Sequence, residues 1–211
     1  MGRRCGIAHE FTGMSNRYKK VLGWVIGINA LLFGVEMVAG IEAQSQALQA
    51  DALDFLGDTL TYGLSLWAIG KPLSSRSTVA LWKGRSLFIM ALWVVGSTAY
   101  RIFYMGSPSA YTMGSISIAA FLANFVSVLL LLKYREGDAN VKSVWLCSRN
   151  DAIGNLAVLC AASGVWASGS AWPDLFVALV LASLFLTSSW QILQLAHREN
   201  RTLAEHFANQ G

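Results

Sequence analysis

Six apolar runs, each about 20 residues long, occupy most of the chain and leave no room for a second folded domain. They lie at 20–41, 45–70, 86–105, 111–133, 143–166 and 173–195. A helix of roughly 20 residues crosses a bilayer core of about 30 Å, whereas barrel strands would alternate polar and apolar residues over about ten positions. With 55% hydrophobic and 13% charged residues, the sequence predicts an all-α integral membrane protein with six transmembrane helices.

The distribution of Lys and Arg predicts the orientation of these helices. Basic residues precede the first run, flank the second and fourth loops, and follow the sixth run, whereas the loops near Glu42, Pro108 and Ser168 carry none. The positive-inside bias therefore places both termini in the cytoplasm. We predict a cytoplasmic segment at 1–19, a transmembrane domain at 20–196 and a short cytoplasmic tail at 197–211, in the plasma (inner) membrane. The net charge of +4 is a topology signal, and we expect no nucleic-acid partner.

Acidic residues inside two of the runs indicate a cation site. The second run contains Asp51, Asp54 and Asp58, and the fifth contains Cys147 and Asp151. A carboxylate at the bilayer centre costs at least a few kcal/mol, so such groups face protein or water and often mark an ion path. At about 100° per residue, the three aspartates project to one side of their helix, and Cys147 and Asp151 share the spacing of Asp54 and Asp58. Two facing pairs would make a four-ligand site near the midplane.

The ligand types favour zinc or cobalt over magnesium or calcium, because a thiolate suits a borderline metal. Cys147 alone is more typical of a packed small hydrophobe, and Asn150, on the same side of the helix, is an alternative ligand. A lone membrane aspartate often pairs with a cation instead, and Arg101 and Arg149 are available. Glu36 in the first run, like Asp51, is a candidate supporting acid.

Asp174 is a further acid, placed directly after Trp172 and Pro173 at the start of the sixth run. The sequence leaves two interpretations open. It could cap the last helix, or it could take part in the exit of an ion.

Three segments resemble the spans of cation diffusion facilitators. They read NALLFGVEMVAGIEAQSQALQADALDFLGD at 29–58, WLCSRNDAIGNLAVLCAA at 145–162 and WPDLFVALVLASLFL at 172–186. The resemblance covers nearly the whole chain and implies that Asp54, Asp58, Cys147 and Asp151 bind the transported divalent cation in exchange for protons. Cys147 departs from the histidine or aspartate that is usual there.

The resemblance also implies a homodimer. Members of that family usually carry a cytoplasmic C-terminal domain, and this sequence stops at Gly211, so it resembles a short form without that domain. Dimerisation would then rest on the spans, where Gly23 and Gly27 offer a face of small residues.

We therefore expect a divalent metal efflux transporter, a proton-coupled antiporter and not an enzyme. Zinc is the expected substrate, with cobalt, cadmium or iron as others, and no cofactor is expected. One alternative is a membrane metal sensor or accessory subunit that transports nothing. A remote alternative is an intramembrane aspartyl protease, but Asp58 after Gly57 lacks the Gly-x-Gly-Asp context of that class.

Overall fold

Six helices make up the protein in a computed structural model that describes residues 15–67, 73–104, 106–134 and 139–208. In chain order the helices are α1 (Asn16–Glu42), α2 (Gln46–Trp67), α3 (Leu73–Tyr104), α4 (Ala110–Leu132), α5 (Ala139–Ser168) and α6 (Trp172–Ala208). Within the described ranges all regular secondary structure is helical. The prediction of an all-α fold with six helices is confirmed.

Five of the six helices contain a stretch long and apolar enough to cross a membrane. These stretches are Asn16–Glu42, Gly84–Phe103, Ala110–Leu132, Ser148–Ser168 and Trp172–Gln194. Such a set makes the chain an integral, multi-pass membrane protein. Helix α2 is the exception among the described helices, and the sequence explains why: it carries three aspartates between positions 51 and 58. The prediction of six helices stands, and α2 differs from the other five by the three aspartates that it carries.

Two helices continue well beyond the apolar runs predicted for them. Helix α3 begins at Leu73, although its apolar stretch begins only at Gly84, and α6 ends at Ala208, although its apolar stretch ends at Gln194. Apolarity marks the part of a helix that meets lipid, whereas a helix ends only where capping or a breaker stops it. The segment predicted as a short tail is thus largely a continuation of α6.

The helices pack as three close pairs, α1 with α2, α4 with α5, and α3 with α6. Helix α2 also contacts α5 and α1 contacts α4, so these four form a bundle, and α6 packs against α2 and α5. The α3–α6 pair is tight at Gly84, where a Cβ would lie 2.8 Å from Cγ of Leu193. The Ser189 hydroxyl donates to the Gly84 carbonyl at 2.7 Å. Since α2 contacts α1, α3, α5 and α6, its polar side chains are enclosed by protein.

Three loops meet at one end of the bundle. The backbone N–H of Ser109, before α4, donates to the carbonyl of Ala43 in the α1–α2 turn at 3.0 Å. The Ser107 hydroxyl donates to the carbonyl of Gly169 between α5 and α6 at 2.5 Å. These are the three loops that carry no Lys or Arg, so the chain places its uncharged loops together.

The buried interior has an apolar cluster toward each end and polar groups between them. One cluster lies at the start of α1 and the ends of α2 and α4, and consists of Tyr18, Leu22, Val25, Tyr62, Leu131 and Tyr134. The other surrounds the α1–α2 turn and includes Ala43, Ala47, Leu48, Met113, Val165 and Phe185. Buried polar groups are costly in lipid unless they have a role, so the middle layer is where a function is expected.

Candidate metal site

Helix α2 carries its three aspartates into the interior of the bundle. Asp51 is 1% exposed and Asp58 is 8% exposed, while Asp54 is half-buried. Their spacing of three and four residues keeps them on one side of the helix, as the sequence predicts. That side faces α5 and α1, because Asp51 contacts Asn155 of α5 and Glu36 of α1.

The structure brings Asp54 of α2 together with Asp151 of α5. Their carboxyl groups are in hydrogen-bond contact, and Asp151 is 7% exposed. Two carboxyl groups attract one another only when a proton or another cation lies between them, since two carboxylates repel. This contact between α2 and α5 is the kind of juxtaposition a cation site needs.

Asp58 has a hydrogen-bond partner that the sequence analysis missed. The hydroxyl of Tyr62, one turn further along α2, donates to Oδ2 of Asp58. Tyr62 is fully buried. Outer partners of this kind hold a ligand carboxylate in one orientation. The i, i+4 spacing of Asp58 and Tyr62 is a signal that was available in the sequence.

Cys147 and Asn150 are the two candidates for the remaining ligand. The backbone of Cys147 belongs to α5, but its side chain lies outside the described residues. Asn150 is exposed, and its Oδ1 accepts a bond of 3.4 Å from Nη2 of Arg149. Arg149 in turn lies over the ring of Trp145, 5.5 Å from its centroid. The structure therefore does not bring Asn150 to the acidic side chains of α2.

The acids of the interior meet in pairs. Among the described side chains, no three from His, Cys, Asp and Glu gather closely enough to hold a metal ion. Asp54 contacts Asp151, and Glu36 of α1 contacts Asp51. A tetrahedral site would need these pairs to be completed by a further ligand, and Cys147 is one turn from Asp151.

Two buried asparagines extend the Glu36–Asp51 pair into a chain across four helices. Nδ2 of Asn155 in α5 donates to Oδ2 of Asp51 at 2.6 Å. Nδ2 of Asn124 in α4 donates to Oδ1 of Asn155 at 2.9 Å. All four side chains are at most 1% exposed. Neither asparagine is among the site residues predicted from the sequence, although an amide in an apolar helix is a signal of interhelical hydrogen bonding.

Asp174 of α6 caps a helix other than its own. Its carboxylate accepts the backbone N–H groups of Gln46 at 2.8 Å and Ala47 at 3.0 Å, and the hydroxyl of Ser45 at 2.5 Å. These donors form the start of α2, whereas Asp174 itself belongs to α6. A carboxylate at a helix N-terminus satisfies unpaired donors and complements the helix dipole. Of the two interpretations that the sequence left open, a capping role is the one with contacts here, although the helix that is capped is α2, because tertiary packing carries Asp174 to it.

Comparison with known proteins shows the family to which the chain belongs. Residues 24–196 match the family model described as the cation efflux transmembrane domain. The match begins within α1 and ends within α6, so it includes both acidic pairs and both buried asparagines.

Several characterised relatives are similar over most of this chain. The metal cation efflux system protein CzcD of Cupriavidus metallidurans is 23% identical over 201 residues, which cover 90% of this chain and 63% of CzcD. The zinc transporter ZitB of Escherichia coli is 26% identical over 192 residues, covering 85% of this chain and 61% of ZitB. A cadmium, cobalt and zinc/H(+)-K(+) antiporter of Bacillus velezensis is 21% identical over 201 residues, covering 89% and 64%. The chain thus spans a little under two thirds of the length of these relatives.

Proposed function

The chain belongs to the family of the cation efflux transmembrane domain, and from that premise we propose that it exports divalent metal cations through a site between α2 and α5. The observation that carries the proposal is the contact between the carboxyl groups of half-buried Asp54 and buried Asp151, inside a multi-pass membrane protein. A membrane protein retains paired buried acids where a cation must pass.

The proposed ligands are Asp54, Asp58, Cys147 and Asp151. Three carboxylates and one thiolate form a mixed oxygen and sulfur set, which suits zinc, and also cobalt, cadmium or iron, better than magnesium or calcium. The names of the relatives agree, since they are described as acting on zinc, cadmium or cobalt. Cys147 is favoured over Asn150 because the Asn150 oxygen is engaged by Arg149 on the exposed side of α5.

The same carboxylates give a physical route to proton coupling. A metal ion and protons compete for one set of oxygens, so loading the ion releases protons and protonation releases the ion. With both termini in the cytoplasm, the three uncharged loops lie on the outer side of the inner membrane. Protons that enter from the outer side then drive the export of metal from the cytoplasm. The homodimer remains a prediction, and within the described residues no other helix lies within 4 Å of where a Cβ of Gly23 or Gly27 would be.

Calorimetric titration of zinc into the purified chain tests the ligand set. We expect Asp54→Asn and Asp151→Asn to weaken the tightest binding event by more than about 100-fold, since loss of even an outer partner weakens a metal site about 10–100-fold. Glu42→Gln, at an exposed acid at the end of α1, is the matched control and should bind as wild type does.

The same titration separates the two candidates for the last ligand. Cys147→Ala should weaken zinc binding, whereas Asn150→Ala should leave it unchanged. Wild-type affinity in both aspartate variants would overturn the proposed site.

A further inference from the structure

Glu36 is a buried acid that does not belong to the proposed ligand set. It is fully buried in α1, and neither carboxylate oxygen receives a hydrogen bond from an N–H or O–H group of the described residues. Its polar contact is with another acid, the carboxyl group of Asp51. A buried carboxylate without a donor is strongly unfavourable unless a proton or a metal cation neutralises it. The Glu36–Asp51 pair therefore has room for one positive charge, which a proton or a metal cation would supply.

The α1–α2 turn fixes the position of Glu36 opposite Asp51. At Gly40 the two helices approach so closely that a Cβ would lie 3.0 Å from both N and Cγ of Gln49. The Gln49 amide then donates to the carbonyl of Gly40 at 3.2 Å and to that of Ser45 at 3.1 Å. Glu36 lies one turn before Gly40, and Asp51 lies just beyond Gln49. The register of the helix pair thus holds the two acids face to face.

The asparagine chain fixes the orientation of Asp51. Nδ2 of Asn155 donates to Oδ2 of Asp51, and Oδ1 of Asn155 accepts from Asn124. Rotation of the Asn155 amide by half a turn would break both hydrogen bonds. The side chain of Asp51 is held from α5 through one oxygen. Its other oxygen, Oδ1, and both oxygens of Glu36 remain as potential cation ligands, an all-oxygen set that water can complete.

From these observations we propose that Glu36 and Asp51 form a second binding position for the transported divalent cation, held open by the Asn155–Asn124 amide chain. Asp51 precedes Asp54 by three residues, so the second position lies about 4.5 Å along α2 from Asp54, toward the α1–α2 turn. An ion that leaves the α2–α5 site in that direction meets this pair next. The inference rests on the proposed function, because it concerns the same ion.

The number of zinc ions bound per chain tests the second position. We expect the purified full chain to bind two zinc ions in calorimetry, and Glu36→Gln to bind one with the tighter affinity of wild type. Glu42→Gln, the same substitution on an exposed residue six positions later in α1, should still bind two. Asp51→Asn is the second variant, and it should also retain only the tighter event.

Each outcome separates this inference from the proposed function. If Glu36→Gln or Asp51→Asn folds and binds two ions, the second position is refuted while the α2–α5 site stands. If wild type binds a single ion, the pair shares a proton and the inference is also refuted. If Asp151→Asn leaves the tighter event unchanged, the proposed function fails instead.

Discussion

Replacement of Asn155 by alanine should destabilise the helix bundle more than any exposed substitution on α5. Asn155 is fully buried and makes two hydrogen bonds, one to the Asp51 carboxyl at 2.6 Å and one from Asn124 at 2.9 Å. In water-soluble proteins a neutral bond contributes about 0.5–1.5 kcal/mol and one to a charged group about 1.5–3 kcal/mol. Interhelical bonds in membranes average about 0.6 kcal/mol, with a maximum of about 1.7. We therefore expect a loss of about 2 kcal/mol in the free energy of unfolding.

Equilibrium unfolding in mixed micelles, followed by tryptophan fluorescence, measures this loss. Ser163→Ala is the control, because Ser163 is exposed on α5 and its hydroxyl donates to the carbonyl of Leu159 in its own helix. It should change the free energy of unfolding by less than about 0.5 kcal/mol. Asn155→Leu keeps a branched side chain in place of the amide but is larger and removes both hydrogen bonds, so it should destabilise at least as much as Asn155→Ala does.

A double-mutant cycle with Asn124→Ala isolates the bond between the two amides. We expect a coupling of about 1 kcal/mol, because residues in one hydrogen-bond network are not additive. If Asn155→Ala and Ser163→Ala have equal effects, and the coupling is zero, the amide chain does not hold the four helices together and the reasoning is refuted.

Three further substitutions test other contacts. Tyr62→Phe removes the hydroxyl that donates to Asp58 and should weaken zinc binding about 10-fold with little change in stability, as measured by calorimetry and thermal unfolding. Asp174→Asn should destabilise the protein by about 1 kcal/mol and speed amide hydrogen exchange in the first turn of α2, because the cap loses its charge; unchanged exchange would contradict the capping role. Gly84→Ala should lower the unfolding free energy by about 1–3 kcal/mol, since the added methyl group would lie 2.8 Å from Leu193 of α6. Gly96→Ala is the control, because Gly96 faces open space, and it should be neutral or slightly stabilising.

Helix number and the acidic side of α2 could be predicted from the sequence because both depend on local patterns. Apolar runs of bilayer length have a single structural solution, the helix, and i, i+4 spacing places Asp54 and Asp58 on one side whatever surrounds them. The first residue of α3 and the last residue of α6 were not predictable from apolarity, because a helix continues through polar residues outside the lipid.

The contacts between helices could not be predicted in the same way. The partner of Asp174 depends on how α6 packs against α2, and no local pattern encodes that register. Asn124 and Asn155 are uncharged, so neither stands out by charge as an aspartate does, and only the packing of α4 on α5 shows that they bond to one another. The hydrogen-bond partners of the buried polar groups therefore depend on how the helices pack against one another.

Transport of labelled zinc into proteoliposomes with an imposed pH gradient tests the central claim most directly. We predict that wild-type protein and Glu42→Gln accumulate zinc, and that Asp54→Asn and Asp151→Asn fall to the rate of protein-free vesicles. Transport at the wild-type rate by either aspartate variant would contradict a metal path between α2 and α5.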